Sequence, residues 1–275
     1  MGNPTSPISL NIVSYDISIL FINKRKEGRQ KMAGAAAERQ ENTFVKSIND
    51  AVKKNPAGIK IKAGSQTISG VIKAEKFTGR QVSGSEPYID VNLHLADGKT
   101  TVGISMKGET APSLAGGGLK GINLAVPGLA NKFMKAVLAH LKKKIKPGDK
   151  VPDCYGKISD QHKVTIVVGN KDMGGPIDYM YIGNMTPVSN YNKSTNTLSF
   201  NNGNFYEATK YAKSHDLYFR LRARREDQVF DPTAKDSMNV PKIYSKSPSK
   251  GDSAGRIVVT DKVPNNALQN VVNIV

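Results

Sequence analysis

The sequence predicts an α/β fold, a mixed β-sheet core flanked by helices, and three observations carry that prediction. Residues 36–56 repeat apolar side chains at helical spacing, residues 85–109 alternate apolar and polar side chains around an Asp-Gly pair, and residues 129–149 return to helical spacing. With 38% hydrophobic residues, 25 Gly and 14 Pro, the 275-residue chain can form a sizeable core and is also rich in loop-forming residues.

Residues 1–31 hold an apolar stretch, ISLNIVSYDISILF, which Asp16 interrupts and a basic run follows rather than precedes. That order fits neither a secretory signal nor a membrane span. A poorly packed extension is expected there, with MAGAAAERQE from Met32 as the start of the folded region. In AAERQENTFVKSINDAVKKNP (36–56), Phe44, Val45, Ile48 and Val52 mark a helix that Pro56 ends. Glu41 falls near the centre of this apolar stripe and Glu38 at its edge. A carboxylate there either favours the helix dipole and escapes to water, or points over the sheet. Between 58 and 80, Ile59 to Ile61 and Ile68 to Ile72 read as short strands or a turn-rich linker.

The hairpin follows from Asp97-Gly98, a tight-turn pair in which both central residues are expected at positive φ. Counting back pairs Leu93 with Val102, Val91 with Ile104 and Asp90 with Ser105. Val91, Leu93, Leu95, Val102, Ile104 and Met106 then form a core face, while Asp90, Asn92, His94, Gly103, Ser105 and Lys107 share the other. An acid, a hydroxyl and an amine converge at the open end. A solvated face with a weak cross-strand ion pair, stabilising by about 0.2–1 kcal/mol, would show this pattern. So would a site pairing a carboxylate for a hard cation with an amine for water or phosphate.

Beyond the hairpin, Gly116 to Gly118 beside Ser113 and Lys120 would let backbone amides approach a phosphate, without P-loop spacing. Phe133, Met134, Val137, Leu138, Leu141 and Ile145 form the buried stripe of the helix 129–149, stopped by Pro147-Gly148. Residues 162–170 and 176–185 read as strands and residues 201–215 contain a short helix. In 216–227, Phe219, Leu221 and Ala223 alternate with Arg220, Arg222 and Arg224. Such a row of guanidiniums either grips phosphates or protects an edge strand. Residues 231–275 read as a loop-rich, loosely ordered tail apart from GRIVVTD.

A net charge of +17 and a pI near 9.8 point to a polyanionic partner. The single Cys154 excludes an intramolecular disulfide and fits a reducing compartment, and no zinc-ligand spacing occurs. A soluble cytoplasmic protein, the host cytoplasm if virus-encoded, with no membrane partner is the expectation.

PYID followed by ISMK resembles the motif of the PD-(D/E)xK nuclease superfamily over about residues 36–125. Asp90 stands at the aspartate, Ser105 at the D/E position, Lys107 at the lysine, and Glu41 at the helix acid, with Glu38 as its substitute. Ser105 departs from the pattern because it brings no charge; Glu109 is a further acid nearby. The resemblance implies a restriction-endonuclease-like core over 32–150, with residues 151–230 completing the sheet or gripping DNA. It implies an endonuclease that hydrolyses DNA phosphodiesters with Mg²⁺, or Mn²⁺, held by Asp90, Glu41 and the Met106 carbonyl. Lys107 would orient water or stabilise the transition state, and Ser105 would position it. Lys120, Arg220, Arg222 and Arg224 are the expected nucleic-acid contacts, and cutting both strands would call for a homodimer. A basic, non-enzymatic nucleic-acid-binding or virion-packaging protein is the alternative.

Overall fold

The computed structural model describes residues 17–82, 86–109, 114, 118–222, 228–236, 238–246 and 256–274, and their side chains from residue 35 onward except 246 and 256. Helix α1 (Ile17–Val52) leads into an antiparallel run of β1 (Ile59–Ala63), β2 (Gln66–Lys76), β3 (Val91–Leu95) and β4 (Thr101–Gly108). Helices α2 (Gly118–Ala125) and α3 (Leu129–Leu141) follow, then β5 (Cys154–Lys157) and α4 (Asp160–Val168). The chain continues through β6 (Tyr179–Gly183), β7 (Ser189–Asn192), β8 (Thr197–Phe200), β9 (Gly203–Glu207) and α5 (Ala208–Ser214). It ends in β10 (Tyr218–Arg222), β11 (Gln228–Phe230), β12 (Tyr244–Lys246), β13 (Arg256–Thr260) and β14 (Val271–Val272).

The result is a mixed α/β fold around an eight-stranded sheet ordered β7-β8-β1-β2-β3-β4-β6-β9, with parallel pairs at β1–β8 and β4–β6. A four-stranded sheet, β13-β10-β5-β14, and the β11–β12 pair complete it. Both faces of the large sheet are covered, so β4 is buried from Val102 to Met106 without alternation. On one face α1 packs Phe44 and Ile48 against Ile61, Val71, Val91, Leu93 and Ile104, with Phe44 stacked on Phe200 at 4.5 Å. On the other, Ile89 and Met180 join a core shared with α2 to α5 and the smaller sheet, where Phe133 meets Phe219 at 5.6 Å.

The hairpin keeps the expected register: Val91 pairs with Ile104 and Leu93 with Val102. Its turn differs in one respect. Gly98 alone has positive φ, 67°, and the Asp97 carboxylate instead accepts the Lys99 and Thr100 amides, at 3.0 and 2.8 Å. The turn is thus held by side-chain acceptance rather than by two left-handed residues. Gly103 has a packing reason, since a Cβ there would lie 2.9 Å from Ile89 Cδ1 and 3.1 Å from the Pro176 carbonyl oxygen.

Three further expectations change. Residues 162–170 form helix α4, not a strand: Lys163, Ile166 and Val167 are buried at helical spacing, and Asp160 in the first turn pairs with Lys163 at 2.7 Å. Packing of that face against α5 overrides the β propensity of its β-branched residues. Helix α3 stops at Leu141, and LKKKIK unwinds into turns where Asp149 accepts from the Lys146 amide at 2.7 Å. Outside GRIVVTD, the stretch read as a loose tail instead buries Val240, Ile243, Tyr244 and Val272, while Ile257, Val258 and Val259 of GRIVVTD lie in β13 as an ordered segment there requires. Residues 1–16, where part of the N-terminal extension falls, lie outside the described residues. No described helix is long and apolar enough to cross a membrane.

Candidate active site

Asp90 lies just ahead of β3, at the open end of the hairpin. Its backbone is fixed on both sides, the amide donating to Ile104 O and the carbonyl accepting from Phe77 N, each at 2.9 Å. The carboxylate therefore reaches across to β4. Asp90 Oδ2 accepts from the Met106 amide at 2.6 Å and the Ser105 hydroxyl at 3.1 Å, and the Lys107 ammonium stands 3.7 Å away. Ser105 is 2% exposed, so its hydroxyl is committed to this contact, while Asp90 and Lys107 remain partly open. The main chain of Met106 enters through its N–H, donated to Asp90.

The second carboxylate comes from α1. Glu41 pairs with Lys76, at the end of β2, at 2.9 Å, and its side chain is 19% exposed. Burial is the largest influence on Glu41 and raises its pKa; the Lys76 hydrogen bond lowers it, and the negative charge of Asp90 raises it again. The two acids therefore feel each other across the end of the sheet. Glu38 is exposed and adds a smaller push in the same direction.

The helix face differs from the expectation. Gln40, Phe44, Ile48 and Ala51 form the buried line of α1, so Gln40 occupies the centre assigned to Glu41, which lies on the flank. The Gln40 amide, 2% exposed, donates to the carbonyls of Lys107, Gly183 and Asn184 at 3.3, 3.2 and 3.0 Å. It fastens the helix to the ends of β4 and β6 and sets Glu41 beside the hairpin.

Glu109, two residues past Lys107, is exposed, and its charge acts on the Tyr181 hydroxyl, which burial chiefly pushes up to about 12. Lys120 is exposed on α2. Arg220 lies on an interior strand of the smaller sheet, bonded through Nε to Asp153 at 2.9 Å and through Nη2 to the same oxygen, with Tyr155 under the guanidinium at 5.8 Å. Arg222 is half-buried, and its Nε has no hydrogen-bond partner among the described residues. Arg224, Ser113, Gly116 and Gly117 lie outside the described residues.

No family model, curated protein or solved structure matches the chain. The chemistry must be read from this geometry alone. Asp90, Ser105, Lys107 and the Met106 backbone meet at one point, with Glu41 beside them. Lys76 and Gln40 are the members that sequence reasoning missed. Gln40 was visible at i, i+4 and i+8 with Phe44 and Ile48. Lys76 was not, because a register shift in β2 between Val71 and Lys73 decides which face it takes.

Among the described residues no group of three or more His, Cys, Asp or Glu side chains is placed to hold a metal ion. Two carboxylates remain, which suits an ion that keeps several waters, such as Mg²⁺, and not one that needs a full protein cage. The contacts to Asp90 given above all fall on Oδ2, so Oδ1 can be offered to a cation, and a cation beside Glu41 would offset the burial, and to a lesser degree the charge of Asp90, that raises its pKa. Asp90 and Glu41 are the two carboxylates that could hold such an ion.

Proposed function

We propose that the chain is a Mg²⁺-dependent DNA endonuclease of restriction-endonuclease-like type that hydrolyses phosphodiester bonds. The observation that carries this reading is the convergence of a hydroxyl, an amine and a backbone N–H on one oxygen of Asp90, with a second, pKa-raised carboxylate at its side. Asp90 and Glu41 would hold the ion. When bound, Mg²⁺ supplies acidification of water and neutralisation of phosphate charge. Ser105 and the Met106 amide fix the Asp90 carboxylate in one orientation. Lys107, close to Asp90 but only loosely paired with it, turns its ammonium to the attacking water or to the charge that grows on the phosphate. Lys76 balances Glu41 while the site is empty of substrate, and Mn²⁺ can replace Mg²⁺ in a site of two carboxylates.

A specific observation favours a second reading. Each acid already has a lysine, Glu41 with Lys76 and Asp90 with Lys107, so the cluster is self-neutralised and compatible with a basic, non-enzymatic nucleic-acid-binding protein. Plasmid nicking in Mg²⁺ against EDTA separates the two. Under the nuclease reading, Asp90→Asn and Lys107→Met each abolish cleavage while DNA affinity and unfolding stability stay within about 1 kcal/mol of the wild type. Cleavage that survives both substitutions, or a wild type that binds DNA and never cuts it with Mg²⁺ or Mn²⁺, overturns the proposal.

A further inference from the structure

A cleft of about 900 Å³ opens on the Lys107 side of the large sheet but does not contain Asp90. Ile182, the register partner of Lys107, lines it, as do Lys62, Asn204, Tyr206, His215 and Lys262. A second cleft of about 310 Å³ lies against it, and Asn204, Tyr206, Tyr211 and His215 line both. Both volumes fall in the range of about 300–1,000 Å³ usual for ligand sites.

Between the clefts stands a ridge of three rings. The Tyr206 and Tyr211 rings meet edge to face with centroids 5.3 Å apart, and the His215 ring stacks on Tyr211 at 3.9 Å and 12°. The stack is held at its base. The Tyr211 hydroxyl donates to Asp261 Oδ2 at 2.6 Å, and His215 Nδ1 lies 3.0 Å from both the Tyr211 carbonyl and the Ser214 hydroxyl. Tyr211 is buried and His215 is exposed, so the outermost ring of a fixed aromatic stack faces the clefts. Lys62 and Lys262 add positive charge in the larger cleft and Lys210 in the smaller; Glu109 and Asp261 are the carboxylates of the larger and Glu207 of the smaller.

We propose that this ridge binds single-stranded nucleic acid, with an unpaired base stacked on His215 and adjoining phosphates met by Lys62 and Lys262. A preset π-face flanked by cations is the recognition chemistry of unpaired nucleotides, because a base inside a duplex cannot offer its face. The site is separate from Asp90, and binding there does not depend on the nuclease reading. If that reading also holds, the adjacency of Ile182 and Lys107 makes the preferred substrate one with an unpaired segment next to the cut.

The test is fluorescence anisotropy in EDTA, with a labelled twelve-nucleotide thymidine oligomer and a duplex of equal length. The wild type is expected to bind the single strand more tightly than the duplex. His215→Ala should weaken single-strand binding about tenfold and leave duplex binding unchanged, since stacking acts on the unpaired base alone. His215→Phe, which keeps a ring, should restore most of it. The ring is exposed, so a fall in the unfolding midpoint is not expected, and thermal melts of both variants check this. Equal loss on both oligomers, or no loss in His215→Ala, overturns the proposal. Because no metal is present, an absence of cleavage elsewhere neither produces nor masks any of these outcomes.

Discussion

Asp90 and Glu41 are both partly buried carboxylates beside a lysine, yet their surroundings differ. Asp90 Oδ2 accepts from the Ser105 hydroxyl and the Met106 amide, with the Lys107 ammonium 3.7 Å away. Glu41 is paired with Lys76, and burial together with the charge of Asp90 outweighs that pairing, so its pKa rises. The sign of the consequence follows from linkage. A carboxyl whose pKa is higher in the folded state favours folding in its protonated form. That contribution is complete below the unfolded value of about 4.3 and is lost as pH rises through the raised folded value. Glu41→Gln removes the titration, so its stability relative to the wild type should climb between about pH 4 and pH 7. Urea unfolding at those two pH values, in EDTA, measures it; a difference independent of pH would show that Glu41 titrates as it does in the unfolded chain. At this scale much of the site was legible. Asp90, Ser105 and Lys107 are fixed relative to one another by a short loop and a period of two, which are local facts. Lys76 was not legible, because its place depends on a register shift and on a strand pairing across the intervening loop.

Helix α1 sets the second carboxylate, so its seating on the sheet matters more than its own propensity. β1 meets β2 only as far as Ile59 opposite Val71, and Ala74 lies beyond that pairing. Asn49 takes the place of a strand there: its Oδ1 accepts from the Ala74 amide at 2.9 Å and its Nδ2 donates to the Ala74 carbonyl at 2.8 Å. Together with Gln40 it fastens the helix at two points, nine residues apart in sequence. Asn49→Ala should leave a buried backbone donor and acceptor unpaired and cost about 2–3 kcal/mol. The urea midpoint reads that loss; an unchanged midpoint would mean that water replaces the amide at no cost. The apolar stripes made the existence of α1 and α3 legible in sequence, but not the start of α1 at Ile17 or the end of α3 at Leu141 ahead of its Pro-Gly stop. α4 was not, since IVV in a short window suits a strand or a buried helix equally, and only packing against α5 decides it. The cleft was also beyond sequence reading, being assembled from β1, β6, β9, α5 and the residues after β13.

The whole molecule carries 40 Lys and Arg against 23 Asp and Glu, but the cations are not equally free to meet a polyanion. Lys163 is buried between Asp160 and Asp216, and Arg220 is held by Asp153 over Tyr155. Arg222, two residues on and on the same strand face, has a buried Nε without a hydrogen-bond partner among the described residues. On the proposed DNA-binding reading, a phosphate oxygen would give such a donor its partner. The two arginines should therefore separate under substitution. Arg220→Ala removes a partly buried charge-assisted pair and should lower stability by about 1–2 kcal/mol, with little change in how DNA affinity depends on salt. Arg222→Ala should leave stability nearly unchanged and reduce the slope of log K against log salt by about one unit, as expected when one phosphate contact is lost. Affinities measured from about 50 to 200 mM salt give both slopes. If the Arg222→Ala slope equals that of the wild type, this strand takes no part in the proposed DNA contact, and the exposed Lys142 and Lys143 beyond α3 are the next pair to substitute.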